Sequence, residues 1–235
     1  MTRAEEIAAN LARVRARIAA AASAAGRAPG SIQLLAVSKK MPADDVRAAI
    51  AAGQRSFGEN YAQELRDKSA LLADDSTLPT PPEWHFIGPL QSNKVKYVAG
   101  RVALVHSVDS GTLLDAIEAR GAPQACLIQV NVAGEASKKG LPPAELPALL
   151  DRFAAMKNVR CRGLMLIPPR GDARPHFAAL RALRDREAAV TRPNVDLREL
   201  SMGMTEDLEV AIAEGATIVR VGTAIFGPRP TEPPA

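Results

Sequence analysis

The chain's most reactive-looking residue is a lysine placed where an apolar run stops. In Leu34-Leu35-Ala36-Val37-Ser38-Lys39-Lys40-Met41-Pro42, a stretch with strand character ends at Lys39, just before a helix start. A lysine at the end of a buried strand is partly desolvated, and desolvation favours the neutral amine that attacks a carbonyl carbon. That is Schiff-base chemistry. The plainer alternative is that Lys39 and Lys40 only mark the strand's exit into water.

Two later stretches carry groups suited to an anion. Leu200-Ser201-Met202-Gly203-Met204-Thr205 and Val219-Arg220-Val221-Gly222-Thr223-Ala224-Ile225-Phe226-Gly227 both close apolar runs. Ser201 and Thr223 offer hydroxyls, while Gly203 and Gly222 let backbone N–H groups approach a phosphate closely. Taken alone, residues 201 to 205 read as a helix cap. Arg220 is harder to explain away. An unpaired guanidinium inside Thr217-Ile218-Val219-Arg220-Val221 would be costly, so it needs either a structural ion pair or an anionic or acceptor ligand.

Other polar residues at strand ends have bland readings. Asn60, in Gly58-Glu59-Asn60-Tyr61, fits a helix cap by preference. His85 precedes an apolar stretch and fits a hydrogen-bonded core histidine better than a base. The histidines at 85, 106 and 176 have no metal-ligand spacing with each other or with Cys126 and Cys161, so no metal is expected.

The elements that would position these groups alternate along the chain. Thr2 and Glu5 form a capping box, Ile7, Leu11, Val14 and Ile18 keep helical spacing, and Gly26 offers a stop, which predicts a first helix over residues 2–26. Apolar runs of strand length follow at Leu34–Ser38, Ser56–Gly58, Trp84–Gly88, Ala103–Ser107, Ala125–Asn131, Cys161–Ile167, Leu197–Met202 and Thr217–Gly222. Helix-length segments lie between them; Pro42–Gly53, Ser110–Gly121 and Thr205–Gly215 show start and stop signals.

Alternation of this kind implies parallel strands with both faces covered. Eight strands in 235 residues match a (β/α)8 TIM-type barrel; a doubly wound open sheet is the alternative, but no glycine-rich phosphate fingerprint follows the first strand. One barrel domain over residues 1–229 is expected, followed by a Pro-rich disordered tail, 230–235. In such a barrel the loops after strands 7 and 8 often hold phosphate, and strand 1 closes against strand 8. Lys39 would then stand beside the Ser201 and Gly222-Thr223 stretches. An amine next to a phosphate cradle calls for a cofactor with both an aldehyde and a phosphate, which describes pyridoxal 5'-phosphate (PLP).

Composition narrows the partners. The net charge is only +4, the arginines are dispersed, and aromatics make up 3% of residues, so no stacking platform for bases exists and nucleic-acid binding is not expected. No run reaches the ~18 apolar residues of a membrane span, and the N-terminus lacks the apolar stretch of a signal peptide. Two isolated cysteines in apolar runs fit free thiols in a reducing compartment. A cytoplasmic monomer is expected.

Several motifs together resemble the pyridoxal 5'-phosphate homeostasis proteins, the YggS/PROSC family: Ala36-Val37-Ser38-Lys39, Phe57-Gly58-Glu59-Asn60-Tyr61, His85-Phe86-Ile87-Gly88-Pro89-Leu90-Gln91, Gly163-Leu164-Met165, Leu200-Ser201-Met202-Gly203-Met204 and Val219-Arg220-Val221-Gly222-Thr223-Ala224-Ile225-Phe226-Gly227. They occur in the family's order and span nearly the whole chain. The resemblance implies a single fold-type III barrel related to the N-terminal domain of alanine racemase. It implies PLP bound covalently to Lys39 as an aldimine, with Ser201, Gly222 and Thr223 at the phosphate, Arg220 near the pyridine nitrogen, and Asn60 in the site. It further implies a cofactor carrier or buffer in vitamin B6 homeostasis, passing PLP to apo-enzymes, with no catalytic residues of its own. A racemase-like PLP enzyme is the alternative, which the resemblance makes less apt because related racemases draw a tyrosine base from a second domain. A phosphate-binding barrel without PLP would leave Lys39 unexplained.

Overall fold

The computed structural model describes residues 1–135 and 139–228; the tail expected at 230–235 lies outside the described residues. Helix α1 (Arg3–Ala24) leads into eight strands: β1 (Gln33–Val37), β2 (Ser56–Glu59), β3 (Glu83–Phe86), β4 (Leu104–Val108), β5 (Gln124–Gln129), β6 (Val159–Met165), β7 (Val195–Ser201) and β8 (Ile218–Val221). All neighbouring pairs are parallel and the sheet closes, β1 pairing with β8 through Leu34 with Val219 and Ala36 with Val221. The expected TIM barrel is therefore the fold, and every predicted strand overlaps an observed one.

The helices α2 (Ala43–Ala51), α3 (Ala62–Ala73), α4 (Gly111–Glu118), α5 (Leu146–Ala154), α6 (Arg174–Ala188), α7 (Leu208–Ala213) and α8 (Thr223–Phe226) follow their strands, with a short 3₁₀ turn at Ser92–Tyr97 after β3. Two apolar cores result, because alternate strand residues face opposite sides of the sheet. Phe57, Phe86, Phe153, Phe177 and Phe226 are fully buried between strands and helices. Leu35, Ile87, Leu104, Leu127, Met165 and Ile218 fill the barrel's interior.

The predicted start of α1 is present: Glu5 N–H donates to Thr2 Oγ1 and Thr2 N–H to Glu5 Oε2. Ile7, Leu11, Val14 and Ile18 are its buried stripe. That helix lies across the seam where the barrel closes. Arg3 reaches Asp45 of α2 at 2.6 Å and the Phe226 carbonyl at 2.7 Å; Asn10 donates to the Ile225 carbonyl at 2.8 Å; Arg17 donates to the Thr205 carbonyl at 2.8 Å.

One predicted element is shorter than its signals. The segment Thr205–Gly215 becomes helical only at Leu208, because residues 204–207 form a turn in which Met204 N–H donates to Asp207 Oδ1 at 2.6 Å. Cys126 and Cys161 are register partners on β5 and β6, and both are buried free thiols. Among the described residues no helix is long and apolar enough to cross a membrane, and no cluster of three or more His, Cys, Asp or Glu side chains is placed to hold a metal.

Candidate cofactor-binding site

A cavity of about 310 Å³ opens at the C-terminal ends of the strands. Its wall includes Lys39 after β1, Asn60 after β2, Thr205 and Asp207 after β7, and Arg220, Gly222 and Thr223 at the end of β8. The volume falls within the range of small-molecule sites, about 300–1,000 Å³. A larger hollow of about 490 Å³ lies at the opposite end of the barrel, lined by residues such as Glu83, His85 and Glu199, and no lysine among the described residues lines it. The smaller cavity is where the reactive groups converge.

The turn that presents Lys39 is held from behind. Lys40 adopts a left-handed conformation (φ 61°), and its N–H donates to Glu64 Oε1 at 2.6 Å. Lys68 of α3 donates to the Ser38 carbonyl at 2.9 Å, to Glu59 Oε1 at 2.7 Å and to Glu64 Oε1 at 2.9 Å. Those three bonds use all the donors an ammonium has. Ser38 Oγ adds a 2.7 Å bond to Glu59 Oε1. Burial pushes the Glu59 carboxyl's pKa up, with the Lys68 ammonium opposing.

Asn60 does not cap α3 as its preference predicts. Tyr61 occupies the N-cap with no side-chain bond, and Asn60 Oδ1 is buried without a hydrogen-bond partner. A buried acceptor left unmade costs about 1–3 kcal/mol, so a donor from a bound group is the natural complement. Gly88 permits this placement: a Cβ there would lie 2.1 Å from the Asn60 carbonyl oxygen. Gly222 plays a similar part across the seam, where a Cβ would come within 3.2 Å of the Val37 carbonyl oxygen. The chain after β8 therefore sits against the strand that ends at Lys39.

Arg220 is 5% exposed and donates to Ser201 Oγ and to the Leu166 carbonyl, each at 2.9 Å. Among the described residues no carboxylate lies within ion-pair distance of it. Burial pushes its pKa down to about 10, and the nearby Asp207 charge works in the opposite direction. Of the two explanations that its sequence position allows, the described residues supply no structural ion pair, and the cation instead borders the cavity.

The structure thus brings Lys39, Asn60, Arg220, Gly222 and Thr223 around one space. Ser201 lies deeper. It is fully buried, and its hydroxyl sits between Arg220 and His106 Nδ1, 2.9 Å from each. The hydroxyl-bearing residue of that stretch that lines the cavity is Thr205, which in sequence alone reads as part of a cap. Its signal was its place in the loop beyond β7, whereas Ser201 still belongs to the strand.

A model of the alanine racemase N-terminal domain matches residues 7–230, which defines the class of this barrel. The pyridoxal phosphate homeostasis protein of Pseudomonas aeruginosa is 50% identical over 234 residues, covering 97% of this chain and 98% of that protein. Its namesake from Escherichia coli K12 is 45% identical over 229 residues, covering 95% and 97%. The chain belongs to the pyridoxal phosphate homeostasis protein family. Among solved structures, PipY of Synechococcus elongatus with PLP bound superposes with a TM-score of 0.80 at 38% identity, covering 94% of this chain and 100% of PipY.

Proposed function

We propose that this protein binds PLP in the 310 Å³ cavity through a Schiff base to Lys39, and that it serves as a carrier and buffer in vitamin B6 homeostasis. One observation carries the reading. A buried cation, Arg220, and a buried oxygen, Asn60 Oδ1, which among the described residues have no ion-pair partner and no donor respectively, border the same space as Lys39. These residues fit the cofactor. Arg220 would face the ring nitrogen, where a permanent cation disfavours protonation and weakens the ring as an electron sink. Thr205, Thr223 and the backbone at Gly222 would take the phosphate. PLP-bound PipY and the names of the curated relatives support the assignment.

A role without turnover fits the same geometry. Acid–base catalysis contributes roughly 10²–10⁴-fold and needs a positioned group. Neither tyrosine lines the cavity: Tyr61 is half-exposed, and Tyr97 lies under Arg66, Lys94 and Lys96. The free, register-paired thiols of Cys126 and Cys161 fit a reducing cytoplasm.

The racemase-like alternative draws on the family model and is tested alongside. Purified protein loaded with PLP should be yellow, and borohydride reduction followed by peptide mapping should place pyridoxyl on Lys39. An adduct on Lys40, or none, refutes the anchor. Racemisation of amino acids that disappears in Lys39→Ala would replace the carrier reading with an enzyme, whereas transfer of PLP to an apo-enzyme faster than release into solution would support the carrier.

A further inference from the structure

An unbroken line of side-chain hydrogen bonds runs through the barrel from its floor to the cavity. Arg220 Nη1 lies 2.9 Å from Ser201 Oγ, Ser201 Oγ 2.9 Å from His106 Nδ1, His106 Nε2 2.9 Å from His85 Nδ1, and His85 Nε2 3.1 Å from Glu83 Oε1. His85, His106, Ser201 and Arg220 are buried; Glu83 is half-exposed at the floor.

The two ends set the direction. A guanidinium can only donate and a carboxylate can only accept. The His85 hydrogen bond, with help from Ser56 and Gln33, holds the Glu83 pKa down at about 2, so this end is ionised. His85 must then donate from Nε2 and accept at Nδ1. His106 likewise donates from Nε2 and accepts at Nδ1, where the Ser201 hydroxyl donates. Every proton points from Arg220 towards Glu83. The reverse sense would set a bare His85 nitrogen against the carboxylate. A doubly protonated His85 would turn His106 around and leave the Ser201 hydroxyl without an acceptor in the chain. Burial, with the Arg220 charge acting in the same direction, keeps the His106 pKa well below its usual value, in agreement with a neutral ring.

We propose that Glu83, His85, His106 and Ser201 are positioning residues for Arg220: the polarised chain fixes the guanidinium's orientation at the cavity and links that orientation to the barrel floor. The identity of the group that Arg220 faces rests on the PLP reading above. With Nη1 tied to Ser201 and Nη2 to the Leu166 carbonyl, the guanidinium plane is set before a ligand arrives. Chains of aligned hydrogen bonds polarise one another, so a change at one end is felt at the other. The span is long. Glu83, which opens β3, and the cavity residue Ile87, just past its end, lie four positions apart, about 13 Å at the strand rise of ~3.3 Å per residue.

Two measurements test this separately from PLP binding as such. In cofactor-free protein at neutral pH, ¹⁵N NMR of the imidazoles should show His85 and His106 neutral with the proton on Nε2; an Nδ1–H tautomer or an imidazolium at either overturns the proposal, whatever borohydride mapping finds. In loaded protein, His106→Leu should shift the bound cofactor's absorbance and weaken PLP about tenfold, with the adduct still on Lys39. His106→Asn, which keeps an acceptor near the Nδ1 position, should recover most of that loss. A merely structural role would lower the stability of both variants and leave the spectrum unmoved. Should His106→Leu not fold, Glu83→Gln at the half-exposed floor carries the same test: about threefold weaker PLP is expected, and wild-type affinity with a wild-type spectrum overturns the proposal.

Discussion

Replacing Gly88 by alanine should damage the cavity from outside it. The added Cβ would stand 2.1 Å from the Asn60 carbonyl oxygen and 2.7 Å from its Cα, where ordinary contact begins near 3.4 Å. The Asn60 turn must therefore retreat by roughly 1.3 Å, and the three nearest atoms in the way are all backbone, so no side-chain rotation relieves the clash. Overpacking of this kind costs about 1–3 kcal/mol. For a chain of this size that corresponds to a fall of about 2–12 °C in Tm. The same retreat moves the orphaned Asn60 oxygen away from a bound ligand, and PLP should bind about tenfold more weakly. Gly30→Ala is the control, since a Cβ there meets nothing within 4 Å. Thermal melts of cofactor-free protein and absorbance titrations with PLP give the two readouts. If Gly88→Ala matches Gly30→Ala in both, the contact between Gly88 and Asn60 does not shape the site and the fit argument built on Asn60 fails.

Two further outcomes are expected. Thr205→Val should weaken PLP about tenfold but leave the affinity for pyridoxal, which lacks the phosphate, unchanged; equal losses for both would remove Thr205 from the phosphate. Acid should also loosen the fold through Glu83, whose pKa is about 2 in the folded protein against an ordinary 4.5. The unfolded chain binds the proton more readily, so stability from this group is present above pH 4.5 and is lost as pH falls from there towards 2. Urea midpoints measured across that window should fall more steeply for wild type than for Glu83→Gln, and equal slopes would refute the assignment.

The strands were legible because each is an apolar run bounded by turn residues, and α1 because its capping box and buried stripe are local patterns. Lys39 and Arg220 stood out since each is a charge in an apolar context. What stayed hidden depends on strand register and loop shape. Ser201 and Thr205 look alike in sequence, yet one closes β7 inside the barrel and the other borders the cavity. Asn60 follows cap statistics on paper, but Gly88 on the neighbouring strand end leaves room for it elsewhere. His85 is a hydrogen-bonded core histidine, as its apolar surroundings predict; that its partner is His106 requires β3 and β4 to be aligned. Lys68 carried only a helical Glu64 pairing four residues earlier, and its contacts with Ser38 and Glu59 appear once β2 and α3 are folded together.

The seam between β1 and β8 has a consequence for how the site comes into being. Lys39 leaves the ribosome well before Thr205, Arg220, Gly222 and Thr223, and α1 stays without Phe226, Ile225 and Thr205 as partners until those residues are made. A growing chain carries the proposed anchor with no cradle. On the proposed site, retention of the ligand would begin only when β8 inserts, so a bound cofactor would certify a closed barrel, and its binding energy would stabilise the joint between β1 and β8.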